Sequence, residues 1–300
     1  MRALMQFQGA SRILDAIQYL RANDAETIES REVLGGLRIQ AYQTPTLPPA
    51  TRTNTFILGS QELYIVDPAT PYASEQDRFD QLLERLLAEG KEPKAIVLSH
   101  HHHDHVGDAQ RVAQKWSLPV WGHKQTADKL KLTFDRYLVD GDALGAWQAL
   151  HTPGHAVGHL CFWHPQQRSL VAADMVAEES TIIIQPHDGG ILKAYMESLK
   201  RLIALKPKTL TPSHGHLRTD GAALLSQTLS HRQKRIEQIQ EHLTGSQKPI
   251  SARQLVTAIY AGDVPEAVYP LAELSVVSSL LFLLEKGVVT QEGELWSVTN

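Results

Sequence analysis

The sequence predicts mixed β-sheets covered by helices, followed by a smaller helical unit closed by a β-hairpin. Three observations point there. Strand-like and helix-like segments alternate as far as Gly215, with hairpins near the start. Beyond Gly215 the pattern becomes largely helical. The final residues return to two short strands around a turn, and helices followed by such a hairpin are the winged-helix pattern.

Each element has its own signal. Ser11 to Ala22 reads as a short helix with Ile13, Leu14, Ile17 and Leu20 on one side. Thr44 to Pro49 is loop. Thr55 to Leu58 and Leu63 to Val66 flank Gly59-Ser60 as a hairpin. Asp77 to Glu89 is amphipathic, with Phe79, Leu82, Leu83, Leu86 and Leu87 inward and Gly90 as its stop. Ala95 to Leu98 is a continuous apolar run, as in a buried strand. A helix from Asp108 to Trp116 and a short strand from Pro119 to Trp121 follow. Trp147 to Leu150 and Leu160 to Trp163 bracket the turn Thr152-Pro153-Gly154-His155. Ser169 to Ala172 is a strand ending near Asp174, Ala194 to Leu205 a helix, and Thr209 to Thr211 a strand ending at Pro212-Ser213-His214-Gly215. A long helix spans Gly221 to Leu243, and Gly245 to Pro249 is a linker. Helices at Ser251 to Tyr260 and Ala272 to Leu284 precede the hairpin of Val288 to Thr290 with Leu295 to Val298.

Composition sets limits. Of 300 residues 42% are hydrophobic and 21% charged, ordinary for a globular chain able to bury a large core. The single cysteine, Cys161, excludes an intrachain disulfide framework and a multi-cysteine zinc module. A net charge of −4 gives no electrostatic footprint for nucleic acid. The first residues lack the apolar core of a signal peptide, and no stretch reaches the roughly 18 uncharged apolar residues of a membrane span. The expectation is a cytoplasmic protein.

The chemistry centres on Ser99-His100-His101-His102-His103-Asp104-His105, directly after the apolar strand. That places it at the strand's C-terminal edge, where α/β sheets keep their sites. In an extended segment His100 and His102 point the same way. A turn into the next helix swings Asp104 and His105 to a neighbouring position. Two histidines at one point and an Asp-His pair at the next suit two borderline ions such as zinc. A solvated His-rich loop is the competing reading. His155, Asp174 and His214 weigh against it, because each closes a strand-like segment and all could reach one sheet edge. His101 and His103 alternate away from the ligand direction. His151, His159, His164 and His187 read as structural or exposed; His187 could instead line a substrate mouth, and His216 is near enough to His214 to touch substrate. Lys193 and Tyr195 read as helix-surface residues. Asp67, ending a strand, is a candidate partner for a ligating imidazole, or caps the turn before Pro68.

In this pattern of His-x-His-x-Asp-His, then Gly-His, Asp and His, the chain resembles the metallo-β-lactamase-fold hydrolases over roughly residues 30 to 215. The resemblance implies an α/β fold of the αββα sandwich type and two divalent metal ions, expected to be Zn2+. His100, His102 and His155 would hold the first; Asp104, His105 and His214 the second; Asp174 would bridge them. Two such ions can share a water, hold it as a hydroxide nucleophile and stabilise charge on the attacked oxygen. Asp104, the catalytic residue of this reading, can orient that hydroxide. Ser99, Asp108, Ala173 and Ser213 depart from the usual frame, but no ligand is lost.

From Leu150 onward, with Ser230-His231-Arg232 and Val268-Tyr269-Pro270, the chain is similar to the beta-lactamase-like protein 2 group. That group resembles glyoxalase II-type hydrolases and adds a C-terminal winged helix; it includes a single-strand RNA endonuclease. There the stretch matching Ser180-Thr181 lies near substrate, so both hydroxyls are contact candidates, with plain strand structure the alternative. The implied division is a catalytic domain over 1–217, a connecting helix over 218–245 and a winged-helix-like domain over 246–300. From His216 to Asn300 seven Lys/Arg stand against nine acids, wrong for a DNA reader. The cluster Arg232, Lys234 and Arg235 reads as a solvated helix face. The winged helix is therefore expected to pack, to dimerise or to cover the site. Three functions follow: hydrolysis of a small ester, thioester or lactone; single-strand-specific ribonuclease activity; and non-catalytic binding by a metal-containing winged-helix protein. A small-molecule substrate is favoured, with no DNA or membrane partner.

Overall fold

A computed structural model describes residues 31–177, 181–262 and 264–299. The helix expected over Ser11 to Ala22, and Ser180, lie outside the described residues. The first sheet has seven strands in sequence order: β1 (Arg31–Leu34), β2 (Leu37–Gln43), β3 (Arg52–Leu58), β4 (Glu62–Val66), β5 (Glu92–Leu98), β6 (Val120–Gly122) and β7 (Arg136–Tyr137). Strands β1 to β4 are antiparallel neighbours, as the expected hairpin requires, and β4 to β7 run parallel. Parallel neighbours need crossovers. Helices α1 (Ala73–Ala88), α2 (His103–Val106), α3 (Ala109–Trp116) and α4 (Lys124–Leu130) occupy them.

The second sheet orders β12 (Thr209–Pro212), β11 (Ser169–Ala173), β10 (Leu160–His164), β9 (Trp147–His151) and β8 (Ala143–Leu144). Its one parallel pair, β11 and β12, is joined through α5 (Leu192–Ala204). Side-chain alternation builds the layers. Phe56, Leu58, Val66, Ala95 and Val97 face the second sheet and meet Trp147, Ala149, Leu160, Phe162 and Val171. Ile65, Ile96 and Leu98 point the other way, onto Phe79 and Leu83 of α1, Val112 of α3 and Ala127 of α4. Beyond the second sheet, Cys161, Trp163, Leu170 and Ala172 pack with Leu199 of α5 and Leu225 of α6 (Gly221–Gly245). The result is an αββα sandwich. Leu87, expected inward on α1, is 41% exposed: α1 starts at Ala73, and its buried stripe is completed by Leu86.

The remaining elements are β13 (Ile250–Ser251), α7 (Ala252–Tyr260), α8 (Tyr269–Glu285), β14 (Val289–Glu292) and β15 (Leu295–Val298), with the small sheet ordered β13-β15-β14. This is a winged helix, and it shares its core with the sandwich: Val256, Val276, Leu280 and Trp296 belong to the same cluster as Leu199 and Leu225. By length and apolarity alone Glu266–Glu285 has the makeup of a membrane span, against expectation. Burial of Tyr269, Ala272, Val276, Leu280 and Leu283 in that core accounts for its apolarity.

Candidate metal centre

Five chain segments end at one edge between the two sheets. Asp67 follows β4, the histidine run follows β5, His155 lies between β9 and β10, Asp174 follows β11 and His214 follows β12. Backbone and side-chain bonds tie the sheets there. Leu160 N–H donates to Ser99 O at 2.8 Å, and Asn54 of β3 donates from Nδ2 to Pro212 O and Gly215 O at 2.9 and 2.8 Å.

Two donor groups converge. His100, His102, His155 and Asp174 form one; Asp104, His105 and His214 form the other. In the first, His100 Nε2 and His155 Nε2 lie 3.0 and 2.9 Å from His102 Nδ1. Asp174 reaches both groups, with Oδ2 at 3.5 Å from His155 Nε2 and from His105 Nε2 and Oδ1 at 3.5 Å from His214 Nε2. Asp104 Oδ2 is 3.5 Å from His214 Nε2 and its Oδ1 3.9 Å from His105 Nε2. His101 and His103 stay out of both groups: His103 is exposed on α2, and His101 turns to Asp188.

The outer nitrogen of each converging imidazole meets an acceptor. Ser99 Oγ donates to Asp67 Oδ2 at 2.5 Å, so it accepts from His100 Nδ1 at 2.9 Å. His105 Nδ1 donates to Asp67 Oδ2 at 2.9 Å, His155 Nδ1 to Ile183 O at 2.9 Å, His214 Nδ1 to Arg52 O at 3.0 Å, and His102 Nε2 to Asp188 Oδ2 at 3.1 Å. A neutral imidazole carries one proton, so each inward nitrogen presents a lone pair. The lone pairs of His100 and His155, 3.0 and 2.9 Å from that of His102, have no proton to share with it, and a cation resolves that crowding. His105 Nε2 and Asp174 Oδ1 are buried with no hydrogen-bond partner among the described residues. Nitrogen and carboxylate donors of this kind fit two divalent ions of zinc-like preference.

Electrostatics divides the site. Burial, reinforced by neighbouring histidines, holds His100 and His155 well below the usual range and His102 below it. Neutral ligating imidazoles are what a metal needs. Burial also opposes charge on His105 and His214, but Asp174 and Asp104 outweigh it and raise both. Burial would raise Asp174 too; His105 and His214 hold it well below the usual carboxylate range.

Asp67 is the imidazole partner foreseen, on His105, rather than a simple turn cap. His159, foreseen as structural or exposed, sits behind Asp174: its Nε2 accepts Asp174 N–H at 3.2 Å and its Nδ1 donates to Thr152 Oγ1 at 2.8 Å. Among the substrate candidates His187 and His216 are exposed, and Thr181 is half-buried in a segment without strand structure. Tyr195 is not on the surface: it is fully buried, donating from its hydroxyl to Met175 O at 2.6 Å. Nor is Arg232 solvated. It is 5% exposed, stacks over the Tyr195 ring and donates to Ile182 O. Asp188 escaped notice because an acid in a Gly-rich turn carries no signal of its neighbours in space.

A family model described as the metallo-beta-lactamase superfamily matches residues 48–214, and one described as the beta-lactamase associated winged helix domain matches residues 251–296. The beta-lactamase-like protein 2 homolog of Caenorhabditis elegans is 28% identical over 247 residues, covering 79% of this chain and 80% of that protein. A hydroxyacylglutathione hydrolase of Bdellovibrio bacteriovorus is 28% identical over 152 residues, 49% of this chain and 59% of the relative. Among solved structures, a beta-lactamase domain protein from Burkholderia ambifaria superimposes with a TM-score of 0.77 at 20% identity, covering 90% of this chain and 93% of that one.

Proposed function

The chain belongs to the metallo-beta-lactamase superfamily, and from that premise we propose that it is a cytoplasmic dinuclear zinc hydrolase of a small ester, thioester or lactone. One observation carries the reading. Five imidazoles turn their lone pairs inward in two groups, with Asp174 between them. His100, His102 and His155 would hold one ion, Asp104, His105 and His214 the other, and Asp174 would touch both. When bound, the two ions supply Lewis acidity and lower the pKa of a shared water so that it attacks near neutral pH.

The chain's own residues do the rest. Asp67, Ser99, Ile183 and Arg52 fix which ring nitrogens are free. Asp104, whose side chain is 18% exposed, would orient the attacking hydroxide while helping to hold the second ion. His159 holds the Asp174 backbone from behind. The relative named for hydroxyacylglutathione supports an acyl substrate, and the acidic balance after His216 weighs against RNA.

The test is metal analysis of chelator-free protein with parallel assays on a thioester, a lactone, a phosphodiester and single-stranded RNA. About two ions per chain and turnover of an acyl substrate are expected. Less than one tightly bound ion overturns the dinuclear reading, and turnover of RNA alone makes the protein a ribonuclease.

A further inference from the structure

Segment 182–188 touches two of the three imidazoles that would surround the first ion. Ile183 O accepts from His155 Nδ1, and Asp188 Oδ2 accepts from His102 Nε2 at 3.1 Å and from His101 Nε2 at 2.8 Å. Asp188 Oδ1 in turn accepts from Lys129 Nζ of α4 at 2.9 Å, which fixes the carboxylate from its far side.

The segment is itself held in place. Pro186 opens a 3-10 turn over Pro186–Asp188, and Gly189 closes it at φ +91°. A β-carbon on Gly189 would lie 2.7 Å from Val157, so the turn admits little else there. Gly190 N–H returns to Gln185 O at 2.8 Å, and Ile191 N–H reaches Gly154 O, beside His155, at 2.8 Å. From the C-terminal side, Arg232 of α6 donates to Ile182 O, and α8 of the winged helix packs on the 3-10 turn.

We propose that Asp188 is a positioning residue for the first metal, and that α6 and α8 brace the segment that carries it. The assignment rests on the dinuclear reading above. By accepting the Nε2 proton Asp188 fixes the tautomer of His102 and aims Nδ1 at the ion, the relation that orients metal-bound imidazoles generally. The winged helix then acts as a buttress of the first metal site.

The experiment titrates Zn2+ against a chromophoric chelator in the full-length protein, comparing the parent with Asp188→Ala, Asp188→Asn and Arg232→Met. The parent should bind two ions. Asp188→Ala should weaken one of them about 10- to 100-fold and leave the other unchanged, with Asp188→Asn in between. General loosening of the fold would weaken both. The Asp188 side chain is 36% exposed, so its variants should fold even if the buried Arg232→Met does not. Arg232→Met, where folded, should weaken the same ion. Two ions bound by Asp188→Ala with parental affinities overturn this assignment and leave the dinuclear reading standing. A parent that binds fewer than two overturns both.

Discussion

Asp67 is fully buried at a left-handed backbone position, φ 51°, and accepts from Ser99 N–H, Ser99 Oγ and His105 Nδ1. Asp67→Ala would strand three donors in the interior. Breaking such a buried charged network costs about 3–5 kcal/mol, so the urea midpoint should fall steeply, and an unchanged midpoint would contradict the role given to Asp67. A second residue-scale prediction concerns the stacked rings of His123 and His151, whose centroids are 4.0 Å apart. Burial, and then His151, lowers the His123 pKa from 6.5 to about 4. The folded state therefore refuses a proton that the unfolded chain accepts between those values. Stability from keeping this ring neutral is complete above pH 6.5 and drains away as pH falls towards about 4. His123 also caps α4 by accepting Gln125 N–H, a role asparagine can fill. His123→Asn should thus lose less Tm than the parent between pH 7 and pH 5 in thermal melts.

At the scale of elements, the loop carrying His155 depends on Gly154. Its φ is +133°, and a β-carbon there would fall 2.1 Å from Tyr195 N at the first turn of α5. Gly154→Ala should cost about 3 kcal/mol or more through backbone strain and overpacking, read as a lower Tm with or without zinc. A much smaller effect is expected in α7, where Ser251 and Gln254 form a reciprocal capping box. Ser251→Ala should cost about 1 kcal/mol. These elements were legible to different degrees. A continuous apolar run identified β5, and the alternation of an extended segment put His100 and His102 together; helical spacing identified α1 and α6. Spacing could not say that Tyr195 faces inward, because it is the docking of α5 on the Gly154 loop that buries it. Nor could it pair Asp188 with His102, or Arg232 with Ile182, since such pairs are made by tertiary closure across many intervening residues. Asp104, His105 and His214 could be brought together from the sequence because the first two follow β5 through a short turn into α2 and the third follows β12 by two residues.

Across the whole molecule the winged helix shares one apolar cluster with the second sheet, from Leu170 through Leu225 and Ile239 to Val276 and Leu280. A chain truncated after Gly245 would expose the buried side of α6 that packs in this cluster. It should give aggregated or protease-sensitive protein, and a stable monodisperse fragment would show that the two units fold apart. Metal held by the converging donors would add to the same cohesion, since a ligand bound only by the folded state stabilises it by about 4 kcal/mol at a thousandfold excess over Kd. Chelation should therefore lower Tm, and zinc should restore it. The convergence of donors from both sheets also bears on how the chain folds. His100 and His214 reach the same cluster only after β3 has met the end of β12, with Asn54 bonded to Pro212 and Gly215. Closing loops of that length is entropically costly and slow, and so belongs late in folding. Stopped-flow refolding should show secondary structure forming before zinc is captured with native affinity. The ions would then report the last long-range closure, and a nascent chain would gain its chemistry only once the segment bearing His214 had been made.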